Sequence, residues 1–269
     1  MRKFSVVGLT FLFCGAVGLP LMASAKDIRV PGHRAVYVLS AADSGDGPST
    51  AKGRYVFDVE DFCDGYTLNE RLVVQLERRG TKTLTDYRLS AFESETGDLY
   101  RFSTETSFNG RTGNSAEGTL SVGEENSDVD YKTAEDVEFE GNVLAPMAHL
   151  RALLEAASEG ETRHAAQVFD GDIDKPVFFA VTRLVKADED IPDIEGADAL
   201  DGVPHWKIDA VFYSDVDGEE EEDTPDFSFT GVIYATGVMT NLVFDYGEFA
   251  LDAALEELEV YDSDCEETQ

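Results

Sequence analysis

The sequence predicts one antiparallel all-β domain folded around a single helix, and three observations predict it. Apolar and polar residues alternate with a period of two along most of the chain. Turn residues punctuate these runs at regular spacing. One segment alone, 146–159, has a helical period and is apolar around most of its circumference. About a dozen strand-like runs with few helices between them argue against βαβ units. Of 269 residues 42% are hydrophobic, which supplies material for a substantial core.

The first element is an address. Arg2 and Lys3 precede a nearly wholly apolar run over 4–19, and Ala23-Ser24-Ala25 is followed at once by charged Lys26 and Asp27. This is the pattern of an export signal peptide over 1–25 cleaved between Ala25 and Lys26, leaving a domain of 26–269. An uncleaved anchor is the competing reading, because 4–22 is long enough to cross a bilayer; Pro20 and the small-residue site oppose it. Phe13 before Cys14 departs from a lipoprotein site. No other stretch is apolar enough to span a membrane, so the mature chain is expected to be soluble and periplasmic.

Strand runs then follow in order: 55–59, 72–76, 87–92 and 100–103, with Gly97-Asp98 and Asn109-Gly110 as turns, and further runs at 129–141, 165–169, 177–185, 206–213, 227–234 and 239–246. Between them, 146–159 begins with Pro146 in a first-turn position and stops at Gly160. Met147, Leu150, Leu153, Leu154 and Ala157 share one arc of this helix, so it is expected to be enclosed, with the sheet around it. The run 249–260 has helix-favouring composition, yet Phe249, Leu251, Ala253 and Leu255 alternate. It is read as a strand with a bulge-like break at Glu256-Glu257. The acidic stretches 188–201 and 215–226 are read as solvated loops.

Charge excludes one large class of function. With 21 basic residues against 55 acidic ones the net charge is −34, and removal of 1–25 takes it to −36. Such a surface repels nucleic acid and anionic lipid. The mature chain keeps Cys63 and Cys265. An exported chain with two cysteines usually oxidises them, and only one intramolecular pairing is available; two free thiols are the alternative.

Recognisable catalytic chemistry is missing from the sequence. Asp170-Gly171-Asp172-Ile173-Asp174 begins like a calcium loop, but Lys175 stands where glycine is needed and Val181 where the bidentate glutamate belongs. No nucleophile elbow, zinc-binding helix, phosphate loop or dinucleotide fingerprint is present. His149, beside the leucine arc, is either a tuned base or a core histidine. No catalytic residue, metal ligand or cofactor is assigned.

Several runs, in order across the mature chain, together resemble the EipB family of alphaproteobacterial periplasmic envelope-integrity proteins, formerly a domain of unknown function. They are His33-Arg34-Ala35-Val36-Tyr37, Cys63-Asp64-Gly65-Tyr66 with Arg71-Leu72-Val73, Ala91-Phe92-Glu93-Ser94, His149-Leu150-Arg151-Ala152-Leu153-Leu154, Val168-Phe169-Asp170-Gly171, Phe244-Asp245-Tyr246-Gly247 and Cys265. The resemblance implies a β-spiral: a long bent antiparallel sheet curled around one helix, similar in outline to the lipoprotein carriers LolA and LolB. It also implies a disulfide between the positions of Cys63 and Cys265, and it offers no catalytic residues. The expected function is non-enzymatic support of the cell envelope through a periplasmic protein partner or a lipid-like ligand, with no nucleic acid and no membrane span after cleavage. Protein binding is placed ahead of lipid carriage because the helix is expected to occupy the hollow. A periplasmic hydrolase with an unrecognised carboxylate or histidine site is the alternative.

Overall fold

The alternating runs form fifteen strands: His33–Ala41 (β1), Thr50–Phe62 (β2), Gly65–Arg78 (β3), Thr81–Ser94 (β4), Leu99–Phe108 (β5), Arg111–Ser121 (β6), Asn126–Tyr131 (β7), Val137–Glu140 (β8), Val143–Leu144 (β9), Arg163–Phe169 (β10), Val177–Lys186 (β11), His205–Tyr213 (β12), Phe227–Tyr234 (β13), Met239–Asp245 (β14) and Ala250–Val260 (β15). The helix Pro146–Glu159 (α1) lies between β9 and β10. The computed structural model describes residues 28–42, 50–188, 191–214 and 224–262; the expected export segment with Ala25 and Lys26, and also Cys265, lie outside them.

All fifteen strands belong to one sheet, ordered β8 back to β1, then β15 back to β9. Every neighbouring pair is antiparallel except β9 with β10. The two edge strands, β8 and β9, are consecutive in the chain, so the sheet curls until its edges meet. A side chain bridges the seam. Buried Ser127 Oγ donates to the Gly141 carbonyl at 2.9 Å and accepts the Val143 N–H at 3.2 Å. The expected all-β spiral around one helix is therefore the observed architecture.

Local chemistry sets the turns and breaks. Arg79-Gly80 and Asn109-Gly110 both have positive φ at the two central turn positions, the twist that two-residue hairpins require. The run 249–260 is strand, as its alternation predicts. Its break is a bulge: Val36 faces Glu257 while Tyr37 faces Leu255, leaving Glu256 as the extra residue.

In the loop expected over 188–201, the described part 191–201 departs from its expected solvated character. β14 pairs with β15 only over Ala250–Ala253, which leaves the rest of that edge of β15 uncovered. Residues 191–201 fill the gap. Glu195 accepts the Leu258 N–H at 3.0 Å, Leu200 is buried, and Ile191 and Ile194 pack on the same core. Gly196 is required there, since a Cβ would lie 1.9 Å from the Leu258 carbonyl. Three apolar residues scattered among acids were enough to anchor the segment.

α1 has the predicted bounds and a left-handed Gly160 at its end. Its first turn is capped from another element. Ala145 has no capping side chain; instead Glu93 of β4, wholly buried, accepts Met147 N–H at 2.8 Å and Ala148 N–H at 2.6 Å. Leu150, Leu153, Leu154 and Ala157 pack with Tyr66, Leu68, Tyr100, Phe102 and Phe169 in the largest core cluster. This cluster fills one end of the spiral only.

Candidate functional site

β3 and β4 are fourteen residues each, and in antiparallel register they run from Gly65 opposite Ser94 to Arg78 opposite Thr81. Their helix-proximal halves carry Tyr66, Leu68, Leu89 and Ala91 into the core. Their distal halves outrun the helix and wall a cavity of about 1510 Å³. That exceeds the usual size of small-molecule pockets, roughly 300 to 1,000 Å³.

The cavity has three surfaces. One wall is aromatic: Phe178 from β11, Phe227 and Phe229 from β13, Phe244 from β14, with Tyr246 and Phe249 from the following turn. Phe212 backs it, stacking on Phe227 at 4.3 Å between centroids. The facing wall combines Leu72, Val74 and Leu76 of β3 with a hydroxyl rail of Thr81, Thr83 and Thr85 on β4 and Thr104 and Thr106 on β5. Period two puts each set on a single face.

The floor is acidic. Glu70 accepts a hydrogen bond from the Tyr55 hydroxyl at 2.8 Å. Asp170 and Asp172 come from the turn between β10 and β11, which is held by a Tyr131 hydroxyl donating to the Asp172 carbonyl at 2.8 Å. The run that begins like a calcium loop thus supplies the floor, and among the described residues no three His, Cys, Asp or Glu side chains are grouped for a metal ion. Burial pushes Glu70 up to about 7, opposed by the Tyr55 bond and reinforced by Asp170. Enclosure by protein, with the charge of Asp172, pushes Asp170 up to about 6, although its carboxyl is open to the cavity. Tyr87 beside them is also raised, chiefly by burial. The cations of the lining, Arg78 and Arg79, stand at the mouth in the β3–β4 turn, where Arg78 pairs with Glu248 at 3.0 Å.

Sequence reasoning passed over this site, yet a signal for it was present. Leu68, Glu70, Leu72, Val74 and Leu76 share one face of β3, so Glu70 is a carboxylate inside an apolar stripe. The predicted site residues lie elsewhere. Cys63 is in the exposed turn between β2 and β3, and its expected partner Cys265 is outside the described residues, as are Ala25 and Lys26. His149 faces His164 of β10, ring centroids 5.7 Å apart, and neither Nε2 has a hydrogen-bond partner. Burial lowers His149 to about 4. Among the described residues no histidine lines the cavity.

These features define a class: a curled antiparallel sheet, plugged at one end by a helix and hollow at the other. The family model described as EipB-like matches residues 24–262, and the chain belongs to that family. The cell envelope integrity protein EipB of Brucella abortus (strain 2308) is 26% identical over 263 residues, covering 94% of this chain and 91% of the relative. A crystal structure described as a beta-barrel-like protein of a domain of unknown function, also from Brucella abortus, matches with a TM-score of 0.78 at 23% identity, covering 87% of this chain and 100% of that one. That last likeness bears on the fold alone.

Proposed function

We propose that this chain is a non-enzymatic periplasmic protein that supports the cell envelope by binding one lipid-like amphiphile inside the spiral. The observation that carries the reading is the cavity of about 1510 Å³ between an aromatic wall and a threonine rail. Its depth suits a chain. From Glu70 at the floor to Arg78 at the mouth, eight strand residues span about 26 Å, against about 15 Å for one leaflet of a bilayer's hydrocarbon core. The name of the Brucella relative and the export-type segment 1–25 support the envelope setting. A ligand now takes precedence over a protein partner, because α1 occupies only the far end of the hollow.

A hydrolase is the second reading, and the Glu70–Asp170 pair is the observation behind it: two carboxyls raised toward neutrality in a cavity are suited to proton transfer. Native mass spectrometry of the protein released from the envelope separates the readings. One adduct of lipid mass per chain, recovered chemically intact after incubation, is the outcome expected for a binding protein. A bare chain that takes up no added amphiphile contradicts it, and turnover of the adduct supports the hydrolase. The same spectrum reports whether the chain begins at Lys26.

A further inference from the structure

The ligand-cavity reading leaves open which polar head the amphiphile carries, and the distribution of charge along the cavity addresses that. Glu70, Asp170 and Asp172 cluster at the closed end, above the packed rings of Tyr100, Phe102 and Phe169. Among the described residues the cations of the lining are the two arginines of the rim, about 26 Å away along β3. Tyr55 donates to Glu70, whereas the carboxyl of Asp170 is open to the cavity and takes no protein donor among the described residues. A carboxyl that opens on the cavity can exchange its water for the charge-assisted hydrogen bond of an incoming cationic donor.

Two orientations of an amphiphile are then unequal. An anionic head sent to the floor meets three carboxyls, and one held at the arginine rim leaves its apolar chain end against those same carboxyls. A cationic head sent to the floor gains charge-assisted hydrogen bonds there, while its chain lies along Phe229 and Phe244. We propose that the cavity selects amphiphiles with an amine or ammonium head, bound head-down on Glu70 and Asp170. This rests on the ligand-cavity reading and sharpens it.

The test is displacement of the neutral dye Nile red from the purified protein by three probes with the same twelve-carbon chain: dodecylamine, dodecyl maltoside and laurate, each below its micelle-forming concentration. Dodecylamine is expected to displace the dye at a concentration about ten-fold or more below the others, the scale of one charge-assisted hydrogen bond. The protein's acidic exterior also attracts cations, so the preference must persist at about 0.5 M NaCl, where surface charge is screened within a few Å. It must also persist in Asp128→Asn/Glu138→Gln, which removes exposed charges of β7 and β8. It should fall to parity in Glu70→Gln/Asp170→Asn, whose amides keep the side-chain shapes; the wild-type ranking and its salt dependence decide the matter even if that variant folds poorly. Equal potency, laurate first, or a preference that salt abolishes overturns the head-group inference while the cavity reading stands. If Nile red itself does not bind and no probe is taken up, both fail.

Discussion

The Tyr55 hydroxyl donates to Glu70 across β2 and β3 at 2.8 Å, fixing a carboxyl at the one level of the spiral where the helix-filled core gives way to the cavity. The bond favours the charged form of Glu70, and burial opposes it more strongly.

Stability should therefore fall as pH rises. Glu70 and Glu93 are pushed up to about 7 from 4.5, and Asp170 to about 6 from 3.8, all chiefly by enclosure. Below about pH 3 these groups are mostly protonated whether the chain is folded or not. As pH rises through the unfolded values the unfolded chain ionises first, so stability is lost progressively until pH passes the folded values. Tyr55, Tyr87 and Tyr100 around Glu70 stay neutral throughout. Glu70→Gln should be more stable than wild type at about pH 8 by on the order of 1 to 2 kcal/mol after allowance for water in the cavity, read as a higher melting temperature, and equal to wild type near about pH 3. A pH-independent difference between variant and wild type, measured by calorimetry, would contradict this.

The strands were legible because one face of each is wet. Tyr55 to Val59 and Tyr87 to Phe92 alternate in a way only a half-buried strand explains, and the uninterrupted apolar arc of α1 required a surrounding sheet. How far that arc reaches was not legible. Whether the hollow is filled depends on the lengths of β3 and β4 relative to α1, a comparison between elements that pair through space. The floor was hidden for the same reason, since Glu70, Asp170 and Asp172 come from places a hundred residues apart. The anchoring of 191–201 depended on an edge of β15 left open by β14, which no local pattern records.

His149 predicts the opposite pH trend at the other end of the spiral. Its ring, packed against His164 and lowered to about 4, is neutral in the fold, whereas an unfolded histidine protonates near 6.5. The unfolded chain takes up a proton first as pH falls from 6.5 toward 4, so stability is lost across that window. In His149→Gln the acid-sensitive part should shrink by on the order of 2 kcal/mol, read as the change in melting temperature between about pH 7 and pH 4. An identical acid slope in variant and wild type rules out His149 as its source.

Glu93 holds the helix to the sheet. Glu93→Ala leaves the Met147 and Ala148 N–H groups without an acceptor in a buried setting, and urea unfolding should show a loss of about 2 to 4 kcal/mol. Glu93→Gln, which keeps one acceptor oxygen, should lose less. An alanine variant as stable as wild type would show that the cap is dispensable.

The cysteines are expected to clamp the chain end. Tyr261 donates its N–H to the Gly32 carbonyl at 2.8 Å and its hydroxyl to Asp58 at 3.0 Å, so β15 finishes against the strands that lead to the Cys63 turn. Cys265 is four residues further on, a reach of about 13 Å. A bridge closing so long a loop stabilises by at most about 5 kcal/mol on the chain-entropy view. Replacing both cysteines with serine should lower the melting temperature and increase proteolysis near the C-terminus. Two free thiols per chain, counted under denaturing non-reducing conditions in protein from the periplasm, would falsify the clamp.

Whether the open half of the spiral holds one lipid-like amphiphile is measured most directly by a fluorescence titration with Nile red in wild type and Thr104→Trp. Thr104 lies on β5 among the lining residues, its methyl beside the Gly171 turn at the floor, so an indole there takes up cavity space. One saturable site per chain is expected in wild type, and in Thr104→Trp an affinity weaker by about ten-fold or more with the melting temperature maintained. Non-saturable binding in wild type, or equal binding by the filled variant, would contradict it.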